Sequence, residues 1–257
     1  MPIRSSKHLG SISRDYRDNR NLENATNFFR QNNFALLPNF LDSATANNWA
    51  TVCKKLLTKY GIHIERGVSG KRLSYTVVTG DTIRRHGFEI YGFYRSSVMR
   101  NLIRQVTGAR EIYSSQHLRS SININYLYRP DHIYRWHFDA EPYSSLLFLT
   151  SLRKEDGGAL RIRPLKGQAQ NNSSTVEIPK GGGVRTITPE AGSLVIIDGT
   201  TCAHSVAPLR RECDRITLAM VYPDSLGRPR PEKLDDYLYD RSITDEKFHG
   251  DPNLPRR

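Results

Sequence analysis

Apolar residues recur along this chain at two different periods. Between about residues 21 and 110 the period is helical. Leu22, Ala25, Phe28 and Phe29 mark one stripe, which ends near Asn32; a residue every three or four positions keeps an apolar stripe on one side of a helix. Phe34–Leu37 reads as a short strand before Pro38. Asp42 or Ser43 can cap a second helix carrying Trp49, Val52, Cys53, Leu56 and Leu57. A third apolar helix is predicted over residues 95–106, ending at Gly108. Between these helices Tyr75–Val78 has strand character, followed by a turn at Gly80-Asp81.

From residue 119 the period becomes two, the signature of strands with one buried face. SSININYLY puts Asn123, Asn125 and Leu127 on one face and Ile122, Ile124, Tyr126 and Tyr128 on the other. A slip of one residue would exchange the faces. SSLLFLTSL, GGALRIRP, SLVIIDG and DRITLAMVY continue the series, and residues 167–183 form a surface loop by composition. Short strands punctuated by glycine turns suit a barrel-like double sheet: mainly β with flanking helices. The expected organisation is a loose basic segment at 1–20 and one domain over 21–257. That domain divides into a helical support at 21–110, a β core at about 115–222 and a C-terminal extension at 223–257.

Within the β region stands His137-Phe138-Asp139, answered by His204. Two imidazoles and a carboxylate hold a mononuclear non-haem Fe(II) while leaving other positions open. On a strand His137 and Asp139 would share a face, with Cα atoms about 6.5 Å apart. An isolated HxD pair is more often a surface feature, so the context decides. Eleven positions after His204 comes Arg215, with Thr217 on the same strand face. A guanidinium fork with a hydroxyl beside it suits the far carboxylate of a dicarboxylate such as 2-oxoglutarate. Without the three metal-binding residues, pairing with Asp214 or Glu212 would be the simpler reading.

HFD at 137–139, DGGALRI at 156–162, AGSLVIIDG at 191–199, HSVAPL at 204–209 and DRITLAMVY at 214–222 together resemble the Fe(II)/2-oxoglutarate-dependent oxygenases. The resemblance covers roughly residues 115–222. It implies a double-stranded β-helix, a jelly roll of cupin-like form, with Fe(II) and 2-oxoglutarate as cofactors and O2 as co-substrate. It matches His137, Asp139 and His204 to the iron triad and Arg215 with Thr217 to the co-substrate clamp. More closely, the chain resembles the stand-alone oxygenases that hydroxylate or halogenate free amino acids. Halogenating members have a small residue where this chain has Asp139. The implied reaction is therefore hydroxylation of an unactivated C–H of a small polar metabolite, a free amino acid. Asn123 is the candidate amide for the co-substrate and Asn125 for the substrate. Tyr134 and Trp136 before the triad, Glu141 and Tyr143 after it, and Arg72 are further substrate candidates; Arg85 is a weaker one. Tyr237 and Tyr239 could fold across the mouth as a lid.

Charge changes the picture in one respect. The formal net charge is +12, which would favour an oxygenase acting on a nucleotide or other phosphate-bearing substrate. Five basic and two acidic residues fall in the first twenty and the chain closes on LPRR, so part of the excess sits near the termini. No nucleic-acid-binding motif appears, and a small-molecule partner is expected instead. A non-catalytic binding protein on the same fold is the third reading. Three cysteines with no CxxC spacing exclude a disulfide framework or zinc knuckle, and Cys202 reads as a core thiol. With no apolar run of eighteen residues and no leader-like start, the expected location is the cytoplasm. The sequence does not set the oligomeric state.

Overall fold

A computed structural model describes residues 12–16, 19–66, 73–165, 183–227 and 234–239. Helix α1 (Asn19–Asn32) leads into β1 (Phe34–Leu37), and α2 (Ser43–Tyr60) starts where Asp42 accepts a 2.8 Å bond from the Thr45 N–H. A hairpin of β2 (Ile62–Arg66) and β3 (Leu73–Val78) follows, then α3 (Gly80–His86), α4 (Phe88–Arg95) and α5 (Ser97–Thr107). The strands of the second half are β4 (Ile122–Leu127), β5 (Tyr134–His137), β6 (Tyr143–Phe148), β7 (Leu160–Pro164), β8 (Arg185–Ile187), β9 (Leu194–Asp198), β10 (Cys202–Val206) and β11 (Arg215–Tyr222). A short α6 (Leu234–Tyr239) comes last.

Among the described residues, eleven strands make two antiparallel sheets, one ordered β1-β9-β6-β11-β4-β3-β2 and the other β5-β10-β7-β8. This is the mainly-β architecture with flanking helices anticipated from the alternating pattern. Ile122, Ile124, Ile216, Leu218 and Met220 face outward from the large sheet and pack with Trp49, Phe93, Leu102 and Ile103 of the helices. The opposite face looks toward the small sheet. There Phe34, Phe148, Val195 and Ile197 meet Leu160, Ile162 and Cys202 across the interior. Each such side chain contributes about 1.5–3 kcal/mol when fully buried, so the two sheets are held in fixed register around whatever lies between them.

Four expectations need correction. Gly80-Asp81 is not a turn but the start of α3, with Thr79 preceding it and donating to Asp81 at 2.6 Å. β2, α3 and α4 were not anticipated, because their stretch mixes short apolar runs with basic residues and shows no clean period. Ile12 and Tyr16, in the segment read as loose, are buried; the Tyr16 hydroxyl donates to the Pro38 carbonyl at 2.7 Å. β5 stops at His137, so Asp139 is not on a strand. The loop expected at 167–183 lies almost wholly outside the described residues. Among the described residues, no helix is long and apolar enough to cross a membrane.

Candidate metal and co-substrate site

His204 lies opposite His137 in the β10–β5 pairing. Cross-strand neighbours place their side chains on one face, and the two imidazole rings come to 4.1 Å between centroids. Each ring is oriented by its own strand. His137 Nδ1 donates to the Arg135 carbonyl at 2.9 Å and His204 Nδ1 to the Cys202 carbonyl at 3.1 Å. With Nδ1–H committed, each Nε2 keeps its lone pair for a metal. Burial, with His204 nearby, pushes His137 down to about 3 against the pull of Asp139. The ring is therefore neutral, the state in which imidazole ligates.

Asp139 reaches the same point by a different route from the one the sequence suggested. Its N–H donates to the Gly199 carbonyl at 2.9 Å, and the Gly199 N–H donates to the Pro142 carbonyl at 2.8 Å. The loop after β5 is thus laid against the turn between β9 and β10. Asp139 Oδ1 ends 3.6 Å from both Nε2 atoms. One ligand atom from each of His137, Asp139 and His204 lies within 4.8 Å of the others, and all three are at most part-exposed. Two neutral nitrogens and one carboxylate around a common point fit a divalent iron with open positions. A Cβ on Gly199 would stand 2.6 Å from both Cβ and Oδ2 of Asp139, so the absence of a side chain there makes room for the carboxylate.

Arg215 is 2 % exposed on the inner face of β11. Its Nε donates to the Gly158 carbonyl at 2.7 Å, its Nη1 donates to Thr217 Oγ1 at 3.0 Å, and the guanidinium lies 5.5 Å over the Phe148 ring. Burial lowers its pKa to about 10, which leaves it charged at neutral pH. Gly158 has φ +65 and would meet Leu152 and Leu209 at 2.7 Å if it carried a Cβ, so a glycine is needed to offer that carbonyl. Ile162, four residues along, lies opposite His204. The Gly158 carbonyl that anchors Arg215 is thus at most about 14 Å along the chain from the residue facing His204. The donor set fits 2-oxoglutarate.

The remaining candidates divide. Asn125 lies opposite Thr217 on β11, whereas Asn123 lies opposite Ala219, one pair further from Arg215. Both ends of the Asn123 amide are occupied, Nδ2 by the Arg119 carbonyl at 2.9 Å and Oδ1 by the Tyr239 hydroxyl at 2.8 Å. Asn123 is therefore a docking point for the C-terminal helix, and Asn125 is the amide beside the clamp. Tyr134 sits with its ring 4.7 Å from that of His137, and Glu141 is buried in the loop that carries Asp139. Trp136 turns away: its ring meets the guanidinium of Arg161, which bonds Ser205 on the opposite face of β10 from His204. Tyr143 also points elsewhere, packing against Phe29 and the helical layer. Simple alternation does not decide β5, whose pairing with β10 shifts register between His204 and Val206, and neither assignment survives the packing. Arg72 and the Tyr237 side chain lie outside the described residues, and Arg85 pairs with Asp81 at 2.5 Å on the surface of α3. Cys202 is a core thiol as expected, raised to about 12 by burial. Sequence reasoning missed Gly199, whose only signal was its place in a common glycine motif, and Tyr75, which read as ordinary strand packing.

A search of curated proteins returned no match. Among solved structures, a non-haem α-ketoglutarate-dependent carbocyclase from nogalamycin biosynthesis superposes with a TM-score of 0.66 at 16% identity, covering 82% of this chain and 88% of that one. The α-ketoglutarate-dependent epimerase SnoN from nogalamycin biosynthesis gives 0.60 at 15%, covering 80% and 84%. A prolyl-4-hydroxylase from Pseudomonas putida gives 0.55 at 17%, covering 79% and 98%. These likenesses show the double-stranded β-helix. The family model described as Halogenase D matches residues 17–230, and with that match over most of its length the chain belongs to the Halogenase D family, among the Fe(II)/2-oxoglutarate oxygenases.

Proposed function

We propose that this protein is a hydroxylase of a small polar metabolite, a free amino acid, rather than a halogenase. The observation that carries the reading is Asp139. Its Oδ1 stands 3.6 Å from both histidine Nε2 atoms and occupies the place where a halide would have to bind. A carboxylate there also repels a second anion. In this reading His137, Asp139 and His204 hold Fe(II), while Arg215, assisted by Thr217, takes the distal carboxylate of 2-oxoglutarate. Iron and 2-oxoglutarate, when bound, supply the oxidising chemistry with O2. The chain's own part is to keep both imidazoles in one tautomer through Arg135 and Cys202, and to hold the carboxylate against Gly199. Phe148, Leu160 and Ile162 keep water from the space between the sheets, and orientation of the target carbon falls to the walls beside Tyr134.

Product mass after turnover in high chloride tests the assignment. A hydroxylated product in abundant chloride supports it; a chlorinated product from the unaltered enzyme overturns the reading of Asp139. The net charge of +12 favours a second substrate class, nucleotides. Substrate-stimulated succinate release across free amino acids and nucleotides separates the two, and stimulation by nucleotides alone would replace the amino-acid reading.

A further inference from the structure

The strand that carries His137 is four residues long and lies at the edge of the small sheet, with β10 as its partner there. The pairing is irregular. His137 lies opposite His204, yet Val206 lies opposite Tyr134. One residue of β10, Ser205, therefore faces two of β5, Arg135 and Trp136, which makes a β-bulge. The bulge has two effects on the site. In a regular strand residues three apart take opposite faces, but here the rings of Tyr134 and His137 come to 4.7 Å. It also brings the Arg135 carbonyl to 2.9 Å from His137 Nδ1, the kind of bond that fixes the tautomer and orientation of a ligating ring. A bulge leaves its extra residue outside the regular ladder, so strand pairing alone holds this segment weakly.

Three side chains close over the back of the bulge. Ser205 is buried between His204 and Val206 on β10, and alternation puts its hydroxyl on the face away from the histidine. Arg161 of β7 is the register partner of Ser205, and cross-strand partners share a face. Arg161 Nε donates to Ser205 Oγ at 3.0 Å. Its guanidinium carbon lies 5.1 Å from the centroid of the Trp136 ring, within reach of a cation–π contact. Arg161 is thus joined to β10 by a hydrogen bond and to the bulge of β5 by a ring contact. Both of its partners adjoin ligands: Trp136 precedes His137 and Ser205 follows His204. Arginine suits this place better than lysine, because a planar guanidinium can donate in its plane while stacking on its face.

We propose that Arg161 is a positioning residue for the iron site. Through Ser205 and Trp136 it holds the β5 bulge, and with it the Arg135 carbonyl, in the geometry that aims His137 Nε2 at the point shared with His204 and Asp139. The proposal rests on the iron reading above. It goes beyond that reading by placing part of the control of metal binding on the outer face of the small sheet.

The test uses the full chain. Anaerobic Fe(II) titration gives the affinity. Hydrogen exchange on the metal-free protein, read peptide by peptide, compares β5 with β6 of the large sheet. Arg161→Leu should weaken iron binding roughly 10-fold, the lower end of the range for loss of an orienting group. It should also speed exchange in β5 while β6 keeps the parent's rate. Arg161→Lys should recover part of both losses, and Trp136→Phe, which keeps an aromatic face, should lose less than Trp136→Leu. Arg185→Leu, at an exposed position of β8, should change neither quantity. A thermal melt accompanies each variant; where Arg161→Leu unfolds, Ser205→Ala and the two Trp136 variants carry the comparison. A folded Arg161→Leu with the parent's iron affinity would overturn the proposal. So would weaker iron binding with β5 exchange unchanged, or with exchange raised equally in β5 and β6, the mark of a general loss of stability. Failure of the parent itself to bind iron would remove the iron reading and the proposal with it, whereas an iron-binding parent matched by its variants would remove the proposal alone.

Discussion

Gly199→Ala is a small substitution with a calculable effect on the metal site. The added methyl would lie 2.6 Å from Asp139 Cβ and Oδ2 and 3.0 Å from its Cγ. Ordinary carbon contacts sit at about 3.5–4.0 Å, so the two groups must separate by roughly 1 Å. The Gly199 backbone cannot easily yield, since its N–H is bonded to Pro142 and its carbonyl to the Asp139 N–H. The carboxylate therefore moves. Metal-ligand distances tolerate only about 0.2 Å, so iron affinity should fall about 10- to 100-fold, the range for loss of a group that orients a ligand. Fold stability should drop by about 1–3 kcal/mol from overpacking. Anaerobic iron titration and a urea melt measure the two quantities. The decisive comparison is a double-mutant cycle with Asp139→Gly, which removes the clashing Cβ as well as the carboxylate; in that background Gly199→Ala should cost almost nothing. An unchanged iron affinity in Gly199→Ala, or an equal penalty with and without the Asp139 side chain, would refute the argument.

Other substitutions test neighbouring parts of the same account. His137→Ala and His204→Ala should each remove one of two nitrogen ligands and leave iron weakly held; unaltered anaerobic titration curves in both would dismiss the site. Arg215→Leu should weaken 2-oxoglutarate binding by about 2–5 kcal/mol, the usual cost of breaking a buried charge pair, and lysine should restore only part of it because it lacks the planar fork. Tyr239→Phe leaves the buried Asn123 Oδ1 without its donor and should cost about 1–3 kcal/mol in a urea melt, with faster proteolysis of the C-terminal helix as a second readout.

The alternation in Ile122–Leu127 and Arg215–Tyr222 was legible because each strand has one wholly apolar face, so pattern and register agree. That single fact placed Asn123, Asn125, Arg215 and Thr217 on the inner side. The HxD spacing was legible too, but for the wrong geometric reason: a loop held against Gly199, not a shared strand, brings Asp139 to the histidines. Trp136 and Tyr143 were misassigned because nearness in sequence to the triad says nothing about which face a side chain takes. Asn123 could not be separated from Asn125 on period alone, since the choice depends on a partner 116 residues away.

Asn33, at the junction of α1 and β1, has a consequence for the order in which this protein matures. Its carbonyl accepts from the Asp198 N–H at 2.8 Å and from the Cys202 thiol at 3.3 Å, and its amide donates to Thr201 at 3.1 Å. It thus clamps both ends of the turn that contains Gly199, across 168 positions in the case of Thr201. Contacts so distant form late, because the loop they close must first lose its entropy. The segment synthesised early waits for β9 and β10 before the carboxylate of Asp139 finds its support. Tight iron binding should therefore require that the first and last thirds of the chain have met.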